Sequence, residues 1–130
     1  MTEIVYKIRP PLGHDELNAL FFASWPKHEE WDFSPILERS LLWVCVYADT
    51  QLIGYVNLAW DGGVHAFILD TTVHPDYRRQ GIGAQLVKKA IDAAREHNLE
   101  WIHVDYEPSL EAFYLQCGFQ PSAAGILRVK

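Results

Sequence analysis

The chain has 130 residues, 49% of them hydrophobic and 22% charged, which is the ordinary composition of one globular domain. Seventeen acidic against eleven basic residues give a net charge of -6, which argues against binding of nucleic acid or anionic membranes through clustered cations. The longest apolar runs fall far short of the ~20 residues of a membrane-spanning helix, and the N-terminus lacks the pattern of a secretory signal. We therefore expect a single cytoplasmic domain over residues 1–130, with Cys45 and Cys117 reduced.

The first forty residues predict one strand and two helices. Alternating apolar residues predict a strand over residues 4–8, which a pair of prolines ends. Asp15 is placed to cap a helix that continues to about Ser24. A second, short helix is expected within residues 31–40, with Ser34 as its N-cap and a proline at its first helical position.

Three long strands are predicted next. Large apolar and β-branched residues fill residues 41–47 and 52–60, and the short loop between them indicates a β-hairpin. A turn containing two glycines, at residues 61–63, leads into a third strand over residues 64–73. The three strands should therefore lie side by side and antiparallel.

The last part of the chain predicts helix, strand, helix and strand. Apolar residues at helical spacing indicate an amphipathic helix over residues 81–97, and a buried strand is expected over residues 101–106. The final helix should end at Gly118, and residues 119–130 should return as a strand. One side of that helix carries an apolar stripe of Leu110, Phe113, Tyr114 and Cys117. This order of elements predicts an α+β domain with a mixed sheet.

The segment 73–84 joins the third long strand to the strongest predicted helix. Its glycines allow the backbone to approach a ligand, and the amides of residues 80–84 have no acceptor within the helix. The helix dipole favours an anion at this point, and Arg78 and Arg79 add positive charge beside it. The sequence therefore favours a pyrophosphate site here; the alternative is a surface loop that only connects a strand to a helix.

Three motifs in this order of elements resemble the GNAT superfamily of acyl-CoA-dependent N-acetyltransferases. They are Arg78-x-x-Gly81-x-Gly83, the preceding Val73-x-Pro75-x-Tyr77, and the later Phe113-Tyr114-x-x-x-Gly118-Phe119. The resemblance covers nearly the whole chain. It implies a mixed, largely antiparallel central sheet with helices on both faces, and acetyl-CoA as the acyl donor.

The resemblance also implies where acetyl-CoA binds. The strands carrying residues 64–73 and 100–106 would splay apart to leave a slot for the thioester, whose oxygen would accept a hydrogen bond from the Thr71 amide. The backbone at Thr71 and Val73 would pair with the pantetheine arm, and the glycine loop would hold the pyrophosphate. The implied cofactor-binding residues are Thr71, Val73, Arg78, Arg79, Gln80, Gly81, Ile82, Gly83 and Ala84.

Two proton transfers require catalytic groups. The resemblance implies that Tyr114 protonates the departing thiolate, although its place in an apolar stripe also suits a packing role. Deprotonating a lysine-like amine at pH 7 costs about 4.6 kcal/mol, so a base is useful. Asp70, expected to share a face with Ile68 and Thr72, is either that base or a structural carboxylate. The other candidates for the base are His65, His103, Asp105 and Glu107.

The acceptor is expected to meet the N-terminal helices and the loop between them. That loop holds an aromatic and acidic cluster that suits a cationic, partly apolar amine, unless it is only a solvated loop. The cluster consists of Trp25, His28, Glu29, Glu30, Trp31, Asp32 and Phe33. We take Trp25 and Trp31 as substrate-binding candidates, together with Glu107, which stands where many family members have Asn. The scattered histidines lack metal-ligand spacing, and no metal is expected.

The sequence thus predicts acetyl transfer from acetyl-CoA to a primary amine by direct attack in a ternary complex. Neither cysteine has a histidine partner at a recognisable spacing, so no covalent acyl-enzyme is expected. One alternative is a CoA-binding sensor or interaction module without turnover, and another is a binder of a different nucleotide. A homodimer is a reasonable expectation from the resemblance, and the identity of the acceptor stays open.

Overall fold

The structure, a computed structural model, describes all 130 residues and contains five strands and four α-helices. Short 3-10 turns at Pro75–Tyr77 and Pro108–Leu110 precede α3 and α4. The elements in chain order are β1 (Ile4–Ile8), α1 (His14–Ser24), α2 (Ser34–Arg39), β2 (Leu42–Ala48), β3 (Gln51–Trp60), β4 (His65–Val73), α3 (Ile82–Ala94), β5 (Trp101–His103) and α4 (Glu111–Gln116).

The five strands form one sheet in the order β1-β2-β3-β4-β5. Neighbouring strands from β1 to β4 are antiparallel, and β5 alone runs parallel to its neighbour, β4. The predicted hairpin and the three adjacent antiparallel strands are confirmed. The architecture is therefore the α+β fold with a mixed, largely antiparallel sheet that the sequence predicts.

Helices cover both faces of the sheet. On one face, Leu86, Val87 and Ala90 of α3 pack against the apolar side chains of β2 and β3. On the other face, α1 packs against Cys45 and Tyr55. Burial raises the pKa of the Cys45 thiol to about 12, so this side chain stays protonated, and both cysteines are free. None of the helices combines the length and the apolar character needed to cross a membrane.

The predicted helix caps are each displaced by one residue or more. Gly13 precedes α1 and Asp15 lies in its first turn, where the carboxylate can still interact with the helix dipole. Phe33 is the N-cap of α2, and Ser34 is already helical. The assignment of Asp15 and Ser34 as N-cap residues was wrong, and neither Gly13 nor Phe33 makes a side-chain capping hydrogen bond.

The predicted final strand over residues 119–130 was wrong. No element follows α4, and no backbone amide beyond Phe119 donates a hydrogen bond within the chain. Residues 121–125 read Pro-Ser-Ala-Ala-Gly, which lacks both the β-branched residues and the full set of donors that a strand needs. The strand before α4 is also shorter than expected, because only Trp101–His103 pair with β4.

Candidate active site

A β-bulge in the middle of β4 creates the first element of the site. Tyr55 of β3 pairs with Thr72 and Asn57 pairs with Leu69, so Val56 alone lies opposite two residues, Asp70 and Thr71. Asp70 takes the left-handed conformation, with a φ of 58°. An extra residue in a bulge is left out of the ladder of hydrogen bonds and changes the direction of neighbouring side chains.

The bulge changes the face on which Asp70 lies. Ile68 packs in the core beneath α3, whereas Asp70 lines a cavity beside α1, and Thr72 accepts a hydrogen bond from the Trp25 indole on that same side. The expectation that Ile68, Asp70 and Thr72 share one face was wrong. Simple alternation holds only for an unbroken strand.

The slot lies where β4 and β5 separate. The two strands pair only from His65 and Trp101 to Phe67 and His103. Beyond that point β4 continues for six more residues to Val73 without a neighbour on its β5 side. The backbone of Thr71 and Val73 therefore faces an open edge, which is the splayed arrangement that the family resemblance implies.

The loop that enters α3 presents a row of unpaired backbone donors. Arg79 and Gly81 both have positive φ values, 63° and 77°, and Gly81 is the N-cap of α3. The amides of residues 79–84 donate no hydrogen bond to any backbone carbonyl. Consecutive free amides at the N-terminus of a thirteen-residue helix are donors that suit an anion.

The Arg78 side chain links this loop to α1. Its Nε donates to the Val73 carbonyl at 3.1 Å, and its Nη2 lies 3.4 Å from the Ser24 carbonyl at the end of α1. Arg79 is exposed beside the free amides. The two predicted arginines thus lie together at the loop, with Arg78 bonded to backbone and Arg79 open to a ligand.

Tyr114 reaches the bulge from α4. Its hydroxyl lies 3.4 Å from Thr71 Oγ1, and its ring stacks on Tyr106 with the ring centres 5.2 Å apart. The side chain is only 6% exposed, and burial raises the pKa of the phenol. The hydroxyl is therefore protonated at neutral pH and stands next to the residue whose amide is the predicted thioester contact.

A cavity of about 520 Å³ opens on the α1 side of the bulge. Asp70, which lies in the bulge, contributes a carboxyl group to the cavity wall, and burial raises the pKa of that carboxyl. Trp25 lies on the wall with its indole fixed to Thr72 at 3.1 Å, and Trp31 lines the adjoining part. The lining residues of the two parts are Phe21, Trp25, Pro26, Lys27, His28, Glu29, Trp31, Phe33, Ile36 and Asp70.

Several predicted residues lie away from this cavity. His65 and His103 contact each other at 2.8 Å, at the end of the sheet where β4 and β5 are still paired. Glu107 is exposed before the turn into α4 and does not line the cavity. Asp105 is close enough to Tyr114 for its charge to contribute to the raised phenol pKa. Of the candidates for the base, only Asp70 faces the cavity.

The sequence profile of the acetyltransferase (GNAT) family matches residues 12–119, which include every part of this site. The chain belongs to the GNAT family. An uncharacterised N-acetyltransferase, ycf52, of Pyropia yezoensis is 29% identical over 79 residues, 61% of this chain and 45% of that protein. The mycothiol acetyltransferase of Mycolicibacterium vanbaalenii is 38% identical over 61 residues, 47% of this chain and 20% of that protein. The chain thus spans less than half the length of these two relatives.

Solved structures show the same fold. A GNAT family acetyltransferase of Streptococcus pneumoniae superimposes with a TM-score of 0.81 at 23% identity, over 98% of each chain. The aminoglycoside N-acetyltransferase AAC(6')-Iy, solved with CoA, superimposes with a TM-score of 0.78 at 16% identity, covering 100% of this chain and 96% of that one. At these identities the likeness establishes the fold alone.

Proposed function

We propose that this protein transfers an acetyl group from acetyl-CoA to a primary amine by direct attack in a ternary complex. The observation that carries the proposal is that three features meet at Thr71. These are the open edge of β4, the phenol of Tyr114 and the bulge that turns Asp70 into the cavity. Donor and acceptor would then approach Thr71 from opposite sides of the sheet.

The residues around the slot fit acetyl-CoA. The free amides of residues 79–84, with Arg79 beside them, suit its pyrophosphate. The backbone at Thr71 and Val73 on the open edge of β4, apart from the Val73 carbonyl that Arg78 occupies, suits the amide groups of pantetheine. When bound, acetyl-CoA supplies the activated acetyl group. The solved relatives include AAC(6')-Iy and a Bacillus subtilis acetyltransferase, both in complex with CoA.

Tyr114 is the proposed acid. Burial keeps its phenol protonated at neutral pH, and its hydroxyl faces the bulge at Thr71. A thiolate with a pKa near ~8.5 needs only modest help to leave, so we expect a moderate contribution to the rate. Burial raises the pKa of both cysteine thiols, which makes each a poor nucleophile at neutral pH, and the proposal therefore includes no covalent acyl-enzyme.

Asp70 and the aromatic wall favour a particular kind of acceptor. The carboxylate can attract an ammonium group toward the bulge, and the rings of Phe21, Trp25 and Trp31 can cover an apolar body. A primary amine with a compact apolar or aromatic part therefore fits better than a long polycation. Asp70, with its raised pKa, is also a better proton acceptor than an ordinary carboxylate.

The proposal is tested by the release of free CoA from acetyl-CoA with a panel of amines, from 2-phenylethylamine to spermidine. We expect turnover with aromatic monoamines and a fall in kcat of about tenfold to a hundredfold in Tyr114→Phe, with acetyl-CoA affinity unchanged. Tyr106→Phe is the matched control, since its ring stacks on Tyr114 without a hydrogen bond to Thr71. Tight CoA binding without turnover of any amine would instead favour the alternative, a CoA-binding sensor.

A further inference from the structure

The side chain of Asn18, on α1, has its orientation fixed by its neighbours. Its Nδ2 lies 2.9 Å from the His14 carbonyl and 2.8 Å from the Trp31 carbonyl, and both carbonyls can only accept. Its Oδ1 accepts the backbone N–H of Trp31 at 2.9 Å. Asn18 is only 3% exposed, so water cannot replace these partners. A reversed side-chain amide would leave the two carbonyls and the Trp31 N–H unsatisfied, and the atom that faces His28 is therefore the acceptor Oδ1.

This arrangement determines which nitrogen of His28 carries hydrogen. Nε2 of His28 lies 2.8 Å from Asn18 Oδ1, so Nε2 must donate, and in the neutral ring Nδ1 keeps its lone pair. Nδ1 has no hydrogen-bond partner in the chain, and the ring lines the same cavity as Asp70. Three aromatic rings hold the imidazole in place: Phe21, Phe22 and Phe33.

We propose that His28 is the proton acceptor for the amine, and that Asn18 holds its ring in the required tautomer. The inference rests on the proposed function. An N–H bond of the bound ammonium breaks, the proton passes to His28 Nδ1, and the electron pair stays on the amine nitrogen. The half-buried imidazolium then returns its proton to water at the cavity mouth.

The chemistry of the two cavity groups favours His28 as the base and Asp70 as the group that binds the ammonium. An imidazole is intrinsically a stronger base than a carboxylate, so His28 is the better proton acceptor for an ammonium ion. Asp70 can then act mainly by binding the ammonium as an anion. Besides Asp70, the charged groups that line the cavity with His28 are Glu29 and Lys27, both on the same loop. The neighbours that α1 contributes to His28 are Asn18 and the rings of Phe21 and Phe22.

The test compares His28→Gln with wild type in kcat/KM as a function of pH, using 2-phenylethylamine. Glutamine can still donate to Asn18 Oδ1, so the local structure is kept while the lone pair at the cavity is lost. We expect about a hundredfold loss near neutral pH that shrinks as the pH approaches the pKa of the amine, where no base is needed. His97→Gln, in the exposed turn that follows α3, is the matched control. An equal loss at every pH, or no loss, would overturn the inference.

A second readout does not depend on turnover. Nitrogen NMR of the ¹⁵N-histidine-labelled protein should show His28 with hydrogen on Nε2 and a bare Nδ1, and adding 2-phenylethylamine should shift the Nδ1 signal because its lone pair accepts a hydrogen bond from the ammonium group. Hydrogen on Nδ1, or an unchanged spectrum on addition of the amine, contradicts the role of His28. If no amine is acetylated, the proposed function fails, and this spectrum alone then decides whether Nδ1 of His28 contacts the ammonium group of an amine in the cavity.

Discussion

The carboxyl group of Asp70 reaches the wall of an otherwise largely apolar cavity, and the cost of charging it there raises its pKa. A raised pKa means that the native state binds this proton more tightly than the unfolded chain does. The ionised carboxylate therefore lowers the free energy of unfolding at neutral pH. This penalty is relieved as the pH falls through the native pKa, and it is absent below the pKa of the unfolded chain.

We therefore predict that Asp70→Asn is more stable than wild type at pH 7 and that the difference vanishes below about pH 4. Asparagine tolerates the left-handed backbone that Asp70 adopts, with its φ of 58°, so the substitution adds little strain. Urea denaturation at a series of pH values measures the effect. The same variant should lose acetyl transfer, as expected where a functional group is kept at a cost in stability.

Asp61 provides a control, because its pKa is shifted in the direction opposite to that of Asp70. Its Oδ1 accepts the Gly63 amide at 2.7 Å, and this hydrogen bond lowers the pKa of the carboxyl. Asp61→Asn should be less stable than wild type at pH 7, and the gap should close as the pH falls through the lowered native pKa. Two variants that move in the same direction with pH would show that general charge, rather than the surroundings of Asp70, governs the result.

At the level of elements, the sequence predicts those features that depend on local patterns. The apolar periodicity of α3 and the glycines before it correctly identify the helix and the loop whose amides are free. The bulge at Asp70 leaves no such signal, because an extra residue in a strand looks like its neighbours until the partner strand is known. Asp70 was therefore found as a candidate but assigned to the wrong face.

The short length of β5 could not be predicted from the sequence either, because it depends on the bulge in β4. Ile102, Val104 and Tyr106 alternate and are partly buried against the α3 core. The prediction of a buried strand was wrong, since Trp101 is 58% exposed and only residues 101–103 pair with β4. Pairing depends on the direction of β4, which its bulge alters. The His28 tautomer was equally inaccessible from the sequence, since it depends on Asn18, ten residues away, and on a backbone group that only the folded loop brings near.

The entry to α3 yields a prediction about two glycines. A Cβ at Gly81 would meet no atom within 4 Å, but the φ of 77° disfavours every side chain. Gly81→Ala should thus lose about 1 kcal/mol of stability and weaken acetyl-CoA binding about tenfold or more, because the free amides move. Denaturation and calorimetric titration with acetyl-CoA measure the two effects.

Gly83 is the matched position for stability. A Cβ there would lie 3.4 Å from the Phe113 ring, an ordinary contact, and the residue is helical. Alanine is the better helix former, so Gly83→Ala should keep the free energy of unfolding within about 0.5 kcal/mol of wild type. Equal losses in the two variants would argue that side-chain volume, rather than backbone conformation, limits this loop.

Over the whole molecule, stability is concentrated in the two cores on either face of the sheet. The α3 face holds the larger cluster of buried side chains, which reaches Tyr114 of α4, and the α1 face holds the smaller one. Phe119 is the last residue that takes part, because its amide donates to the Tyr114 carbonyl and its ring packs on the Tyr114 ring. The cores thus support both sides of the site, and the residues beyond Phe119 lie outside them.

This distribution predicts that truncation after Gln120 leaves the folded domain intact. All residues from 121 to 130 are exposed, including Ile126 at 86% and Val129 at 91%. Their removal therefore exposes little of the surface that is buried in the folded chain. We expect the free energy of unfolding to stay within about 0.5 kcal/mol of the full chain. In contrast, Phe119→Ala should lose about 1 kcal/mol or more, because it removes one of the aromatic rings that pack on Tyr114. Denaturation at two protein concentrations also tests the expected homodimer: a concentration-dependent midpoint that disappears on truncation would assign the tail to the dimer interface.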